Sequence, residues 1–275
     1  MNTAMSMPSP DGKTWFERAI NRFLSPSGRR VFSGPKAQVI PSGIPDPELY
    51  RVPEDFNRLY QPWWNPANKS LLRPEVTANT LLNPQKLYML RQLARSSLAV
   101  PGDIFEAGAG SGGSTRVILD VLQAAGSTKR IWSLDTFEGY QKIDPSKDGN
   151  HLQIAGCRCA SFEDVTRLLA TPNHQVTLIP GLIPGTLSQV KSEVISFAHI
   201  DVNLHEPTLA ATEFVLQRLS PWGIVVFDDY AWPATYGART AIDQACSARG
   251  LEVTVVPHTT QAFLINSAPM PSHGR

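Results

Sequence analysis

From residue 104 onward the chain alternates short apolar runs with amphipathic stretches, and this alternation constrains the fold more than any other feature. The runs IFEAGAG, RIWSLD, HQVTLIPG, FAHID and GIVVFDD are too short for core helices. They carry the β-branched and aromatic side chains that suit a pleated sheet. Between them, STRVILDVLQAAG, FEDVTRLLA, LAATEFVLQRLS and TAIDQACSARG place apolar residues at helical spacing. Strands and helices taken in turn predict a mostly parallel α/β sheet with helices on both faces. The last two runs, LEVTVVPH and QAFLIN, are joined by only a few residues. That link cannot carry a parallel crossover, so these strands are expected to be antiparallel. One more helix is predicted ahead of the first strand. Asn83-Pro84 reads as an N-cap with proline at the first helical position. Leu87, Leu90, Leu93 and Leu98 then form one face, and Gly102 ends the pattern.

Upstream, the pattern changes. Many of the 23 prolines precede Pro101, and residues 35–66 mix turn formers with Tyr50, Phe56, Tyr60, Trp63 and Trp64. Closely spaced prolines block regular helix, yet so many aromatics are costly to leave in water. This segment is expected to be ordered but irregular, lying on the main domain or on a partner subunit. Trp15–Leu24 reads as a short amphipathic helix. Residues 1–80 are therefore taken as an irregular and helical extension or lid rather than an independent domain, with 81–275 as the main domain.

The charge balance, 25 basic against 24 acidic residues, gives no electrostatic reason to expect nucleic acid or a membrane surface as partner. No apolar run is long enough to span a bilayer, and the N-terminus lacks the basic-then-apolar order of a secretory signal. Three cysteines, Cys157, Cys159 and Cys246, form no disulfide framework, which suggests a reducing, cytoplasmic setting. Cys157 and Cys159 are too close together for a zinc knuckle.

Three constellations could carry chemistry. The first is Glu106-Ala-Gly108-Ala-Gly110-Ser-Gly112-Gly113-Ser114, with four glycines in six residues between a strand and a helix. Such a loop lets the backbone approach a ligand, and the helix start offers free N–H groups to an anion. It suits a dinucleotide as well as other nucleoside cofactors. The second is Asp135, at the tip of the second strand, where a carboxylate can accept hydrogen bonds from a ribose diol. The third is Asp201 after FAHI with Asp228 and Asp229 after IVVF. In a parallel sheet these strand ends open on the same edge as the glycine loop. Clustered carboxylates repel unless a cation sits among them, and all-oxygen ligation selects a hard ion such as Mg²⁺, Ca²⁺ or Mn²⁺. Capping roles for Asp135, Asp228 and Asp229 are the bland alternatives.

Asp201, Asp228-Asp229-Tyr230, Glu106-x-Gly108, the run Asp135-Thr-Phe-Glu-Gly139 and the segment Gly181-Leu-Ile-Pro-Gly-Thr186-Leu187 together resemble the macrocin O-methyltransferase family, over residues 80–266. The resemblance implies a class I, Rossmann-like methyltransferase fold with a seven-stranded sheet whose last strand is antiparallel. It implies S-adenosylmethionine as methyl donor and Mg²⁺ (or Mn²⁺) as metal. The glycine loop (Glu106, Gly108, Gly110) would hold the methionyl part, Ser114 its carboxylate and Asp135 the ribose, with Gly181 and Leu182 near the adenine. Asp201, Asp228 and Asp229 would hold the metal, with Asp201 also beside the cofactor. The acceptor would be a hydroxyl of a small molecule, such as a sugar or other vicinal diol, and the family favours a homo-oligomer.

The chain departs from that family where Asp-x-Asp-x-Tyr is expected. It reads Asp201-Val-Asn203-Leu-His205 instead, so the family's candidate base is Asn203. His205, with an unperturbed pKa of about 6.5, is the substitute base on this reading, and a local loop contact is the alternative. Asn203 could still bind metal or substrate. His199 lies within a strand and reads as a satisfied sheet residue. Trp232 and Tyr236 could wall an acceptor site or belong to the core. The Trp63-Trp64 pair could close over the site or pack between subunits. Two rival functions remain: an NAD-dependent oxidoreductase, which leaves the carboxylates idle, and a non-catalytic binding protein, which Asn203 keeps in view.

Overall fold

In the computed structural model, residues 61–149 and 160–267 are described. The helix expected at Trp15–Leu24, most of the 35–66 segment, and Cys157 and Cys159 lie outside them. Seven strands form one sheet: β1 (Asp103–Ala107), β2 (Ile131–Asp135), β3 (Val176–Pro180), β4 (Ile195–Ile200), β5 (Leu219–Phe227), β6 (Thr254–Val255) and β7 (Ala262–Ile265). Their order is β3-β2-β1-β4-β5-β7-β6. Strands β1 to β5 are parallel, and β7 runs antiparallel to both β5 and β6. LEVTVVPH pairs over only Thr254 and Val255, both exposed, because an edge strand has one neighbour and little to bury.

The helices are α1 (Pro74–Thr77), α2 (Pro84–Ser96), α3 (Gly113–Ala124), α4 (Pro145–Asp148), α5 (Phe162–Leu169), α6 (His205–Leu216) and α7 (Tyr236–Ser247). The Asn83 side chain caps α2 by accepting from the Lys86 N–H at 2.9 Å. Leu87 and Leu90 are buried as expected, whereas Leu98 lies past the helix end. The two-residue strand period divides the core. On one face Ile104, Phe197, Ile224 and Val226 pack against Leu87 and Leu90 of α2 and Val117 and Ile118 of α3. On the other, Phe105, Ala198, Val225 and Phe227 pack with Ala211 and Val215 of α6 and Ile242 of α7.

Two 3-10 turns, Pro62–Trp64 and Pro66–Leu72, precede α1. Leu71 and Val76 join the α2/α3 core, and Arg73 pairs with Asp120 of α3. The following segment touches the glycine loop directly: the Gly113 N–H donates to the Asn79 carbonyl at 2.8 Å. No helix among the described residues is long and apolar enough to cross a membrane.

Candidate functional site

The site residues stand in one row along the carboxyl edge of the parallel sheet. Each follows, or is, the last paired residue of its strand: Gly181 after β3, Asp135 at the end of β2, Gly108 after β1, Asp201 after β4 and Asp228 after β5. Backbone bonds extend the ladder one step past the strands. Gly181 N–H donates to Asp135 at 2.9 Å, Gly108 to Leu134 at 2.7 Å, Asp201 to Ala107 at 2.8 Å and Asp228 to Ile200 at 3.0 Å. The edge is therefore a rigid platform rather than a set of free loops.

The glycines in the loop do different jobs. A Cβ on Gly108 would stand 2.0 Å from the Asp201 carbonyl oxygen, and one on Gly113 would stand 2.5 Å from that of Asn79. These two are glycine because backbone packs against them. Gly110 is in the left-handed region (φ 54°) with open space where its Cβ would be. Its N–H donates to Asp135 Oδ2 at 2.8 Å, and Asp135 Oδ1 accepts from Phe137 N–H at 2.8 Å. Burial raises the Asp135 pKa, and the hydrogen bonds from Phe137 and Gly110 oppose that. Ser114 is buried in the first turn of α3. Gly181 packs against Thr186, whose N–H donates to the Leu182 carbonyl at 3.1 Å.

Asp201, Asp228 and Asp229 do come together. Burial and the charges of Asp228 and Asp229 push the Asp201 carboxyl well above the usual range. Burial and the charge of Asp228 raise Asp229 to about 6. A hydrogen bond links Asp201 and Asp229. Asp229 Oδ2 is buried with no hydrogen-bond partner among the described residues. Asp228 accepts from Lys86 Nζ at 2.5 Å and from Gln261 Nε2 at 2.9 Å. Burial works against the Lys86 ammonium, but the carboxylates of Asp228, Asp229 and Asp201 outweigh it and raise its pKa. With the ion absent, Asp201 and Asp229 share a proton; with all three acids ionised, two charges would stay unbalanced by the Lys86 ammonium, and a divalent cation fits that donor set.

Lys86 escaped the sequence reading. Its signal was available: it lies four residues before buried Leu90, on a helix face where a charge is out of place.

Glu106 departs from expectation. It is wholly inaccessible, and its carboxylate is held inside the sheet. Oε2 accepts from Thr115 and, at 2.7 Å, from Ser133, while Oε1 lies 3.0 Å from His199 Nδ1. The reason is register: Glu106 is paired with Ser133 on β2 and His199 on β4, so its side chain meets theirs rather than a ligand above the loop. Burial disfavours its charge, but the hydrogen bond and charge of His199 and the two hydroxyls hold its pKa below the ordinary value.

His205 opens α6 against the 144–148 turn. Its N–H donates to Asp148 Oδ1 at 2.7 Å, and its Nδ1 is buried with no hydrogen-bond partner among the described residues. Burial and Lys147 lower its pKa, partly offset by Asp148, Asp144 and Glu206. Asn203 sits at φ 62°, is 9% exposed and donates to the Tyr140 hydroxyl; its Oδ1 accepts no hydrogen bond among the described residues. Trp232 and Tyr236 are half-buried around a 3-10 turn. Trp63 packs on Tyr88 of α2 with ring centroids 6.4 Å apart, whereas Trp64 is exposed.

A family model described as macrocin-O-methyltransferase matches residues 68–258. The chain is 31% identical over 165 residues to the 8-demethyl-8-(2,3-dimethoxy-alpha-L-rhamnosyl)-tetracenomycin-C 4'-O-methyltransferase of Streptomyces olivaceus, covering 56% of this chain and 63% of that protein. It therefore spans less than two thirds of that relative's length. It is 27% identical over 197 residues to the mycinamicin III 3''-O-methyltransferase of Micromonospora griseorubida, covering 66% of this chain and 75% of the relative. Among solved structures, the O-methyltransferase NovP superposes with a TM-score of 0.63 at 21% identity, over 69% of this chain and 83% of NovP. A calicheamicin methyltransferase superposes at 0.56 and 20% identity, over 78% and 98% of the two chains. These two likenesses concern the fold.

Proposed function

The chain belongs to the macrocin-O-methyltransferase family, and from that premise we propose that it transfers the methyl group of S-adenosylmethionine to a hydroxyl of a small molecule, a sugar or other vicinal diol of a natural product. Both sequence relatives named above are O-methyltransferases by name, and the Streptomyces olivaceus name includes a rhamnosyl group, which supports that acceptor class. The observation that carries the reading is the contact between the glycine loop and the acidic cluster: Gly108 lies directly against the backbone of Asp201. A donor bound over the loop and an acceptor bound at the carboxylates would meet there.

On this reading Gly110 and the first turn of α3 at Ser114 receive the methionyl part. Asp135 accepts from the ribose hydroxyls, and Gly181 and Leu182 line the adenine side. Asp201, Asp228 and Asp229 hold a divalent cation, Mg²⁺ or Mn²⁺. Such an ion, when bound, supplies Lewis acidity that lowers the pKa of an acceptor hydroxyl. Lys86 holds the Asp228 carboxylate in place through their ion pair. Methyl transfer breaks the S–C bond as the O–C bond forms in line, so the chain's main task is to align acceptor and donor. The hydroxyl proton passes to a base. His205 takes that role here: its lowered pKa leaves the imidazole neutral at pH 7, and its Nδ1 is unengaged. Asn203 Oδ1, unpartnered among the described residues, would orient a substrate donor. The protein works as a cytoplasmic homo-oligomer.

Calorimetric titration with S-adenosylhomocysteine, with NAD⁺ as parallel ligand, tests the core of this reading. Binding of the first and not the second is expected. Binding of NAD⁺ alone would overturn it.

A further inference from the structure

Glu106 and His199 form a buried pair that the proposed methyl transfer does not use. Both are 0% exposed. Strand register sets Glu106 opposite His199, and places Phe197, His199 and Asp201 on one side of β4 in steps of two. Glu106 is supplied with donors by Thr115, Ser133 and His199 Nδ1. An ionised carboxylate only accepts, so Nδ1 carries the proton of this contact. That leaves Nε2 to hold either a second proton or a metal ion. His199 Nε2 is buried and has no hydrogen-bond partner among the described residues. One ring nitrogen of His199 and one carboxylate oxygen each from Asp201 and Asp228 lie within 4.8 Å of one another, and Nδ1 is already taken by Glu106. Asp229 Oδ2, in the same cluster, is likewise buried and unpartnered.

A lone pair facing carboxylates is stable only with a cation or a proton between them. A carboxylate that fixes one imidazole nitrogen while the other points at a cluster of acids is the arrangement that orients histidine on a metal. We infer that His199 is a fourth protein ligand at the Asp201–Asp228–Asp229 cluster, positioned by Glu106, and that this nitrogen tilts the site toward Mn²⁺ over Mg²⁺. The inference rests on the metal reading proposed above. Mg²⁺ is bound through oxygen and gives up its waters reluctantly, whereas Mn²⁺, as the softer of the two ions, accepts an imidazole nitrogen more readily.

The test is pulsed electron paramagnetic resonance on the full chain loaded with Mn²⁺, beside Mn²⁺ and Mg²⁺ titrations of the wild type and two variants. The wild type is expected to show ¹⁴N coupling to bound Mn²⁺ and to bind Mn²⁺ more tightly than Mg²⁺. His199→Gln should abolish the coupling and weaken Mn²⁺ by about 100-fold, with a smaller effect on Mg²⁺; Glu106→Gln should weaken Mn²⁺ by about 10-fold. The wild-type spectrum decides the matter even if a variant fails to fold. Mn²⁺ bound without nitrogen coupling would overturn the inference and leave the metal reading standing. No Mn²⁺ binding by protein that still binds S-adenosylhomocysteine would overturn both. Nitrogen-coupled Mn²⁺ in protein that does not bind S-adenosylhomocysteine would support the inference and sink the methyl-donor reading instead.

Discussion

The two halves of the site are built from opposite materials. The glycine-loop half, from β1 to β3, is backbone packed on backbone: Gly108 against Asp201, Gly113 against Asn79, Gly110 tied to Asp135. The acidic half, at the ends of β4 and β5, is side-chain charge held in check by another charge, with Lys86 against Asp228. The first half tolerates no added atoms at its packed positions. The second tolerates atoms but not a change in charge.

Several substitutions would break or sharpen that contrast. Gly108→Ala has the largest expected effect, since it drives a Cβ into the Asp201 carbonyl at a left-handed φ of 96°. A loss of at least about 4 kcal/mol is expected, read as a fall in Tm and loss of S-adenosylhomocysteine binding. A stable, binding-competent G108A protein would mean the two halves are not packed together. Lys86→Met leaves Asp228 buried without its cation. About 3 kcal/mol should be lost without metal, and divalent cation should restore much of it. Thermal melts with and without Mn²⁺ measure both parts, and an unchanged melt would remove Lys86 from the charge balance.

His205→Ala acts on neither half's packing. It should lower kcat about 100-fold while leaving S-adenosylhomocysteine affinity unchanged. In the wild type, the acid limb of the kcat/KM profile should fall below pH 6.5, because burial and Lys147 lower the His205 pKa and activity needs the neutral ring. An unchanged kcat in the variant would return His205 to a local loop role.

Glu106 gives a smaller, pH-dependent effect. Its folded pKa is depressed below the ordinary 4.5. Its stabilisation is therefore complete above that value and lost as pH falls through the lower folded pKa, with a slope of at most about 1.4 kcal/mol per pH unit. Glu106→Gln should remove this component from acid unfolding curves. Gly110→Ala should be mildest in stability, about 1 kcal/mol, because its Cβ enters open space and only the left-handed backbone resists it. That contrast with Gly108→Ala separates glycine needed for packing from glycine facing a ligand.

Much of the architecture was legible in the sequence because its signals are local. Strand runs, helical periods, the Asn83 cap and the antiparallel final pair all depend on neighbours a few residues apart. The carboxyl-edge placement of Asp135, Asp201 and Asp228 also followed, since a parallel sheet puts every strand end on one side. The same local reading misjudged Glu106. Its place beside the glycines suggested a ligand, but cross-strand register turned it toward Ser133 and His199. It likewise took His199 for a satisfied sheet residue, whereas its Nε2 has no hydrogen-bond partner among the described residues.

By itself, then, the sequence determined the alternation of elements, the sheet they form and which acids stand at its edge. Only the tertiary structure decided how those acids are balanced. Lys86 reaches Asp228 across 142 residues of chain, and Glu106 meets His199 across 93. Spacing along the chain sets which face a side chain takes. The energy of a buried charge depends on through-space distance to its partners, and that distance exists only once the sheet and α2 have packed.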